Sequence, residues 1–409
     1  MAVGSSKITP LQVVQGVRIG VANAGIKQTE RPDVVVFEID SQASVAGVFT
    51  KNAFCAAPVH IAKKHLAVAE NQGRARYLLV NTGNANAGTG QQGMLDGELC
   101  CEQLAKKVDA RASQVLPFST GVIGELLPTD KIISVLDTAI GSLEADNWEN
   151  AARGILTTDT RIKGHSIAFE YQGKTITMTG ISKGSGMIKP NMATMLGYVA
   201  CDAEISPDLL QTLLSNASNK SFNRITVDGD TSTNDACMLI ATGKSGVQVS
   251  EQNPELLNLF VTHLETLMLE IALQIVRDGE GATKLVQVVC EGANSTEEAL
   301  QVAYTVAHSP LVKTALFASD ANWGRILAAV GRSGVENLNV DALQIYLGDV
   351  CIVENGGRAV NYTEEAGSAV MKKEEILIRI CLNRGAVEDT VWTTDLSYDY
   401  VSINADYRS

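Results

Sequence analysis

Lys183-Gly-Ser-Gly-Met-Ile-Lys-Pro-Asn-Met-Ala-Thr194-Met-Leu-Gly-Tyr-Val199 opens on a glycine turn, passes Pro190 and the small Ala193, and ends in an apolar run of strand character. The pattern sets Thr194 at the start of a strand, with a small residue before it that leaves room for attack on its own carbonyl. By periodicity alone the bland reading is a threonine opening a buried strand. There is no HExxH, no GxSxG and no kinase set, and His60, His65, His165, His263 and His308 are scattered through helical or strand-like patterns. A triad that needs histidine as base therefore has little support. A terminal α-amino group with a pKa of about 8 is an alternative base, and cutting a chain just before a threonine creates one.

Working outward, three further segments share the same glycine and polar character: Asn81-Thr-Gly-Asn-Ala-Asn-Ala-Gly88, Ser119-Thr-Gly-Val-Ile-Gly124 and Asp228-Gly-Asp-Thr-Ser-Thr-Asn-Asp235. Taken singly, each reads as a tight connection, because Gly permits positive φ and Asn, Asp and Thr bond to turn backbones. With Lys183-Gly-Ser-Gly186 they make four, each beside a strand-like run, and four such segments are expected to converge on one site. No phosphate-loop spacing follows a strand. Val34–Phe37, Tyr77–Val80 and Ser166–Tyr171 read as strands. Ser206-Pro207-Asp208 reads as a helix start, Pro254–Arg277 as a long helix stopped by Gly279, and Ser295-Thr-Glu-Glu298 as a capping box for a helix running towards His308. Val401 onward reads as an alternating strand. Mixed elements of this kind predict α/β or α+β layers of helix covering sheet.

The 409 residues suggest two or three domains, and 45% hydrophobic with 19% charged residues excludes disorder. The net charge of −13 argues against a nucleic-acid binder, since phosphate affinity comes from clustered Lys and Arg. Cys55, Cys100, Cys101, Cys201, Cys237, Cys290, Cys351 and Cys381 form no Cys-x-x-Cys pair and sit mostly in apolar runs, so buried free thiols in a reducing compartment are expected. Met1–Gly25 carries only Lys7 and Arg18 as cations and no leader pattern. The most apolar window, Leu256–Val276, is broken by His263, Glu265 and Glu270. A soluble cytoplasmic protein without membrane contact is the expectation.

Six segments together resemble one family. The run from Lys183 to Leu196 is similar to the self-cleavage motif of the ornithine acetyltransferase (glutamate N-acetyltransferase) family of arginine biosynthesis. Leu79–Gly88, Ser119–Glu125, Ile155-Leu-Thr-Thr-Asp-Thr160, Asp278-Gly-Glu-Gly-Ala-Thr-Lys284 and Ile403–Ser409 also match that family's motifs, in its order, over essentially the whole chain. The resemblance implies a precursor cut between Ala193 and Thr194 by Thr194 itself, giving an α piece of residues 1–193 and a β piece of residues 194–409. It implies that Thr194 takes the acetyl group of N2-acetyl-L-ornithine and passes it to L-glutamate, with the Thr120 hydroxyl and the Gly121 N–H as oxyanion hole. Thr157, Lys183, Thr194, Glu280, Asn404 and Ser409 would lie on the substrate. Charge then suggests Glu280 for the substrate ammonium and Lys183 for its carboxylate, since buried charges need partners.

The implied fold is an α/β sandwich of paired sheets and helices, shared with certain amino-terminal-nucleophile aminopeptidases. The implied assembly is a tetramer of two α and two β pieces, and no metal or tightly bound cofactor is implied. Some family members also accept acetyl-CoA as donor; no residue here decides that point, and the reading leans to the bifunctional form. Two rival readings stay open: an aminopeptidase or amidase of the same fold, and an uncleaved module whose glycine loops hold an anion.

Overall fold

The computed structural model describes residues 2–4, 8–27, 31–68, 74–189 and 195–405. These fall into two units, one of Lys7–Asn223 with Asp230–Ile275, the other of Met1–Ser6, Arg224–Gly229 and Val276–Ser409. The division expected at residue 193 is one of covalent pieces rather than of folding units, so the two units do not bear on it.

In the first unit the strands run β1 (Val17–Ala22), β2 (Val34–Ile39), β3 (Ser44–Phe49), β4 (Tyr77–Asn84), β5 (Val115–Val122), β6 (Lys163–Tyr171), β7 (Lys174–Lys183), β8 (Leu196–Cys201) and β9 (Ala236–Ala241). They form one sheet in the order β1-β2-β4-β5 and a second in the order β3-β9-β8-β7-β6. Alternation along each strand decides what the sheets bury. Val35, Phe37, Val80 and Phe118 of the first sheet pack with Tyr198, Met238 and Ile240 of the second. The Tyr198 ring lies 5.0 Å from that of Phe37 and meets that of Phe118 edge-on at 5.4 Å. Burying each such ring contributes about 2–3 kcal/mol. The neighbouring positions Val34, Val36, Tyr77 and Leu79 point the other way, into Cys100, Cys101 and Leu104 of the helix Gly90–Lys107. Strands buried on both faces need continuous apolar runs, which is why β2 reads Val-Val-Val-Phe.

The helix Pro254–Arg277 covers the outer face of the second sheet. Leu264, Leu267, Met268, Ile271 and Ile275 recur at helical spacing and are buried. A Cβ on Gly180 of β7 would lie 2.7 Å from Ile271 Cδ1, so only glycine lets the helix approach there. By length and composition this helix could cross a bilayer. Its buried stripe, with the Glu265–Lys220 ion pair of 2.8 Å on the flank, marks it instead as a helix covering a sheet. The layers are thus helix, sheet, sheet, helix: the expected sandwich.

The second unit adds β10 (Leu285–Ala293), β11 (Gln344–Leu347), β12 (Val350–Glu354), β13 (Gly357–Arg358), β14 (Glu375–Cys381) and β15 (Val387–Thr394), in the order β13-β12-β11-β14-β10-β15. Val286, Val288, Ile345, Ile376, Ile378 and Val391 share one face of this sheet and bury it against the helices Thr296–Ala307 and Trp323–Gly331.

Several local expectations need correction. The chain end is a helix, Tyr398–Ala405, not a strand. Alternation over four residues, Val401 to Asn404, is too short to fix a period. The Ser397 hydroxyl accepts the Tyr400 N–H and Asp399 sits in the first turn, both of which favour a helix start. Ser206 precedes the helix Pro207–Lys220, but its side chain makes no capping bond. At the next start Ser295 accepts from the Glu298 N–H at 3.2 Å, while Glu298 accepts from the Asn294 N–H rather than closing the box on Ser295. The eight cysteines are all free, with Cys55 and Cys351 only half-buried.

Candidate active site

The four glycine-rich and polar segments do converge, at strand ends of the first unit. Lys183 closes β7 and pairs in register with Leu196 at the start of β8, which pairs in turn with Ala236 at the start of β9. From the other sheet, β5 delivers Ser119, Thr120 and Gly121. Lys183 Nζ donates to Thr120 Oγ1 at 3.2 Å, linking the two sheets. A hydroxyl that accepts from an ammonium keeps its own hydrogen for another acceptor and is polarised as a donor. This is the state an oxyanion-hole hydroxyl requires.

Gly121 has φ +137°, and a Cβ there would lie 2.3 Å from the Gly83 carbonyl carbon. Only glycine can hold this backbone beside β4, where the parallel β4–β5 register shifts at Asn84. An asparagine network fixes the two strand ends. Ser119 Oγ donates to Asn81 Oδ1 at 2.6 Å, Asn81 Nδ2 donates to the Asn84 carbonyl at 2.9 Å, and Asn234 Nδ2 donates to the Ser119 carbonyl at 2.9 Å. Asn81 and Asn84 belong to β4 itself, although turn residues alone would end the strand before them.

Asp159 ties in the Thr157 segment. Its carboxylate accepts from Lys163 Nζ at 2.6 Å, from the Gly184 N–H at 2.7 Å and from the Thr157 N–H at 3.0 Å. Both side chains of the Asp159–Lys163 pair are essentially without exposure. Burial alone would raise the Asp159 pKa, but the charges of Lys163 and Lys183 and the hydrogen bonds outweigh it and hold the carboxyl well below the usual carboxylate range. Asp235 shows the opposite balance. It is buried, and desolvation lifts its pKa well above the carboxylate range despite bonds from Ser232 and the Met195 N–H and the nearby charge of Lys183.

In the second unit, Asn404 Nδ2 donates to Glu280 Oε2 at 2.8 Å. Glu280 lies in the turn before β10. A Cβ on Gly281 (φ +69°) would lie 2.6 Å from the Tyr400 N, and Ser397 Oγ donates to the Gly281 carbonyl at 2.7 Å, so the terminal helix is docked on this turn. Lys284, at the end of the same motif, is structural: its Nζ donates to the Met371 and Lys373 carbonyls, both at 3.0 Å, at a helix C-terminus.

The structure therefore brings Thr120, Gly121 and Lys183 together, joins Thr157 to them through Asp159, and brings Glu280 to Asn404. Ala193, Thr194 and Ser409 lie outside the described residues. Reading the sequence missed Asp159 and Asp235, although both stand inside segments it singled out. Nothing in a sequence separates an aspartate buried beside lysines from one capping a turn. Among the described residues no cluster of His, Cys, Asp and Glu is arranged to hold a metal.

A four-layer α/β unit thus carries a hydroxyl that accepts from a lysine, and a buried carboxyl, at its strand ends. Comparison with known proteins identifies the family. The family model for the ArgJ family matches residues 18–409, and the chain belongs to that family. It is 56% identical over 410 residues to the Arginine biosynthesis bifunctional protein ArgJ of Pseudomonas fluorescens and 54% identical over 412 residues to that of Psychrobacter arcticus, each covering 100% of both chains. A solved Arginine biosynthesis bifunctional protein argJ from Bacillus halodurans is 41% identical, covers 52% of this chain and 99% of its own, and superposes with a TM-score of 0.49.

Proposed function

We propose that this chain is a glutamate N-acetyltransferase that moves the acetyl group of N2-acetyl-L-ornithine to L-glutamate, with acetyl-CoA as a second donor for making N-acetylglutamate. Full-length identity of 56% to a protein named for arginine biosynthesis and for two activities supports the reaction class and the second donor. The observation that carries the mechanism is the 3.2 Å contact of Lys183 with Thr120, next in the fold to the strand that Thr194 precedes. In this reading Thr194 cuts the Ala193–Thr194 bond, and the freed amine serves as base for its own hydroxyl. The hydroxyl attacks the acetyl carbonyl of acetylornithine and ornithine leaves. Glutamate then attacks the acetyl-Thr194 ester. Thr120 and Gly121 receive the negative charge of both tetrahedral intermediates.

Thr157, Lys183, Glu280, Asn404 and Ser409 bind the substrate, with Lys183 suited to its carboxylate and Glu280 to its ammonium. No cofactor takes part. Pieces 1–193 and 194–409 stay together as a tetramer of two of each in the cytoplasm. The test is mass spectrometry of protein mixed with acetylornithine alone. One acetyl group on the piece beginning at Thr194, discharged by glutamate, is expected; release of acetate at an equal rate without glutamate would favour the amidase reading.

A further inference from the structure

The motif Asp278-Gly-Glu-Gly-Ala-Thr-Lys284 sets Glu280 between two glycines, and Gly281 takes φ +69°. Glycine backbones have the most conformational freedom to lose, so a turn of this composition does little to fix a side chain by itself. Within the turn the Gly279 N–H donates to the Val276 carbonyl at 3.1 Å and the Ala282 N–H to the Gly279 carbonyl at 2.9 Å. A carboxylate that selects a ligand ammonium must be held within about 0.5 Å of its productive place. The turn needs support from outside.

Asp395, just past the end of β15, supplies it. The residue is 3% exposed. Its Oδ1 accepts the Thr283 N–H at 2.8 Å and the Lys284 N–H at 3.0 Å, and its Oδ2 accepts the Thr283 hydroxyl at 2.5 Å. Hydrogen bonds to a carboxylate are stronger than neutral ones, and this carboxylate takes three from one side of the turn. The support is itself fixed, because Thr394 Oγ1 donates to the Asp395 carbonyl at 2.9 Å and the Leu396 N–H to the Lys313 carbonyl at 3.1 Å. Two residues on, Ser397 Oγ donates to the Gly281 carbonyl at 2.7 Å and accepts the Tyr400 N–H in the helix that carries Asn404. Asn404 Nδ2 then reaches Glu280 Oε2 at 2.8 Å. One short segment, residues 395–397, thus sets both members of the Glu280–Asn404 pair.

Resting on the reading that Glu280 takes the substrate ammonium, we infer that Asp395 is a positioning residue for substrate specificity. Through Thr283 and Lys284 it fixes where the Glu280 carboxylate stands, and with it the preference for an acetyl donor whose side chain ends in an ammonium. Glutamate carries no side-chain ammonium, so its use as acceptor does not depend on Asp395.

The test compares N2-acetyl-L-ornithine with N2-acetyl-L-norvaline, the same carbon chain without the ammonium, as donors to glutamate. Wild type favours acetylornithine by about 100-fold in kcat/KM. Asp395→Asn cuts that preference about tenfold through the KM for acetylornithine, while kcat/KM for acetylnorvaline and the KM for glutamate stay within about twofold of wild type. In a Glu280→Gln background Asp395→Asn lowers the preference no further, because the two residues act as one unit. Equal losses for both donors, or the same loss of preference without the Glu280 carboxylate, would mark a merely structural role and overturn the inference. A Glu280→Gln enzyme that keeps the wild-type preference overturns the Glu280 reading and this inference with it. If Asp395→Asn does not fold, Thr283 decides. Thr283→Val removes one donor to Asp395 and lowers the preference about threefold, and Thr283→Ser restores it. The same preference in wild type, Thr283→Val and Thr283→Ser overturns the assignment.

Discussion

Thr120 and Asp159 act through different physics. The Thr120 hydroxyl accepts from Lys183 Nζ, which leaves its own hydrogen to serve the oxyanion role proposed for it. Thr120→Val keeps the volume and removes the donor, and transferase kcat should fall about 100- to 1,000-fold with little change in melting temperature. An unchanged kcat would take the hydroxyl out of the mechanism. Asp159 is a question of stability. Asp159→Asn removes the anionic partner of Lys163, whose side chain is 1% exposed, and leaves that buried charge to neutral partners such as the Arg161 carbonyl. Denaturant unfolding should register a loss of about 3–5 kcal/mol. The Thr157 segment and the Gly184 N–H lose their common acceptor at the same time, so the KM for acetylornithine should rise as well.

At the scale of the element, the helix Tyr398–Ala405 carries Asn404, which the proposed function puts on the substrate with Glu280. Chain ends usually fray and tolerate tags. The helix before this end is fixed by Ser397 on Gly281 and by Asn404 on Glu280, with Tyr400 Oη donating to Asp228 Oδ2 at 3.3 Å. A bulky tag on Ser409, or deletion of Tyr407–Ser409, should raise the KM for acetylornithine or abolish turnover. Self-cleavage, which needs no substrate, should survive. Full activity of the tagged protein would remove Ser409 from the site and weaken the assignment of Asn404.

For the whole molecule, denaturing electrophoresis should resolve 43.5 kDa into pieces of roughly 20 and 23 kDa, in proportion to 193 and 216 residues, the larger beginning Thr-Met-Leu-Gly. Global stability also has a signature in alkali. Lys313 is 4% exposed; it donates to Thr393 Oγ1 at 3.0 Å, to Thr394 Oγ1 at 3.2 Å and to the Thr394 carbonyl. Burial lowers its pKa from 10.5 to about 8, against the opposing pull of Asp395 and Asp228. Below about pH 8 the lysine is charged in both folded and unfolded states, and the cost of burying that charge is fully present. As pH rises towards 10.5 the folded state sheds its proton first and the cost disappears. Wild type should therefore gain stability relative to Lys313→Met over that window, measured as the gap between denaturation midpoints. A gap independent of pH would show that Lys313 is not buried as a titrating amine.

The sequence by itself determined the class of fold and the family, and it named the residues from which the candidate site is argued. β-Branched runs such as Val34–Phe37 read as strands, and glycine at 121 and a polar run at Asn81–Gly88 mark places where backbone geometry is special. These are local properties, written in residue type and spacing. The sandwich of two sheets, the terminal helix where alternation suggested a strand, and the opposite fates of Asp159 and Asp235 were decided only by tertiary structure. Two aspartates of the same intrinsic acidity part company because one is buried against Lys163 and donating amides, whereas the other is buried with one oxygen unpartnered among the described residues. Desolvation and charge pairing depend on neighbours distant in the chain, and one-dimensional order does not record them.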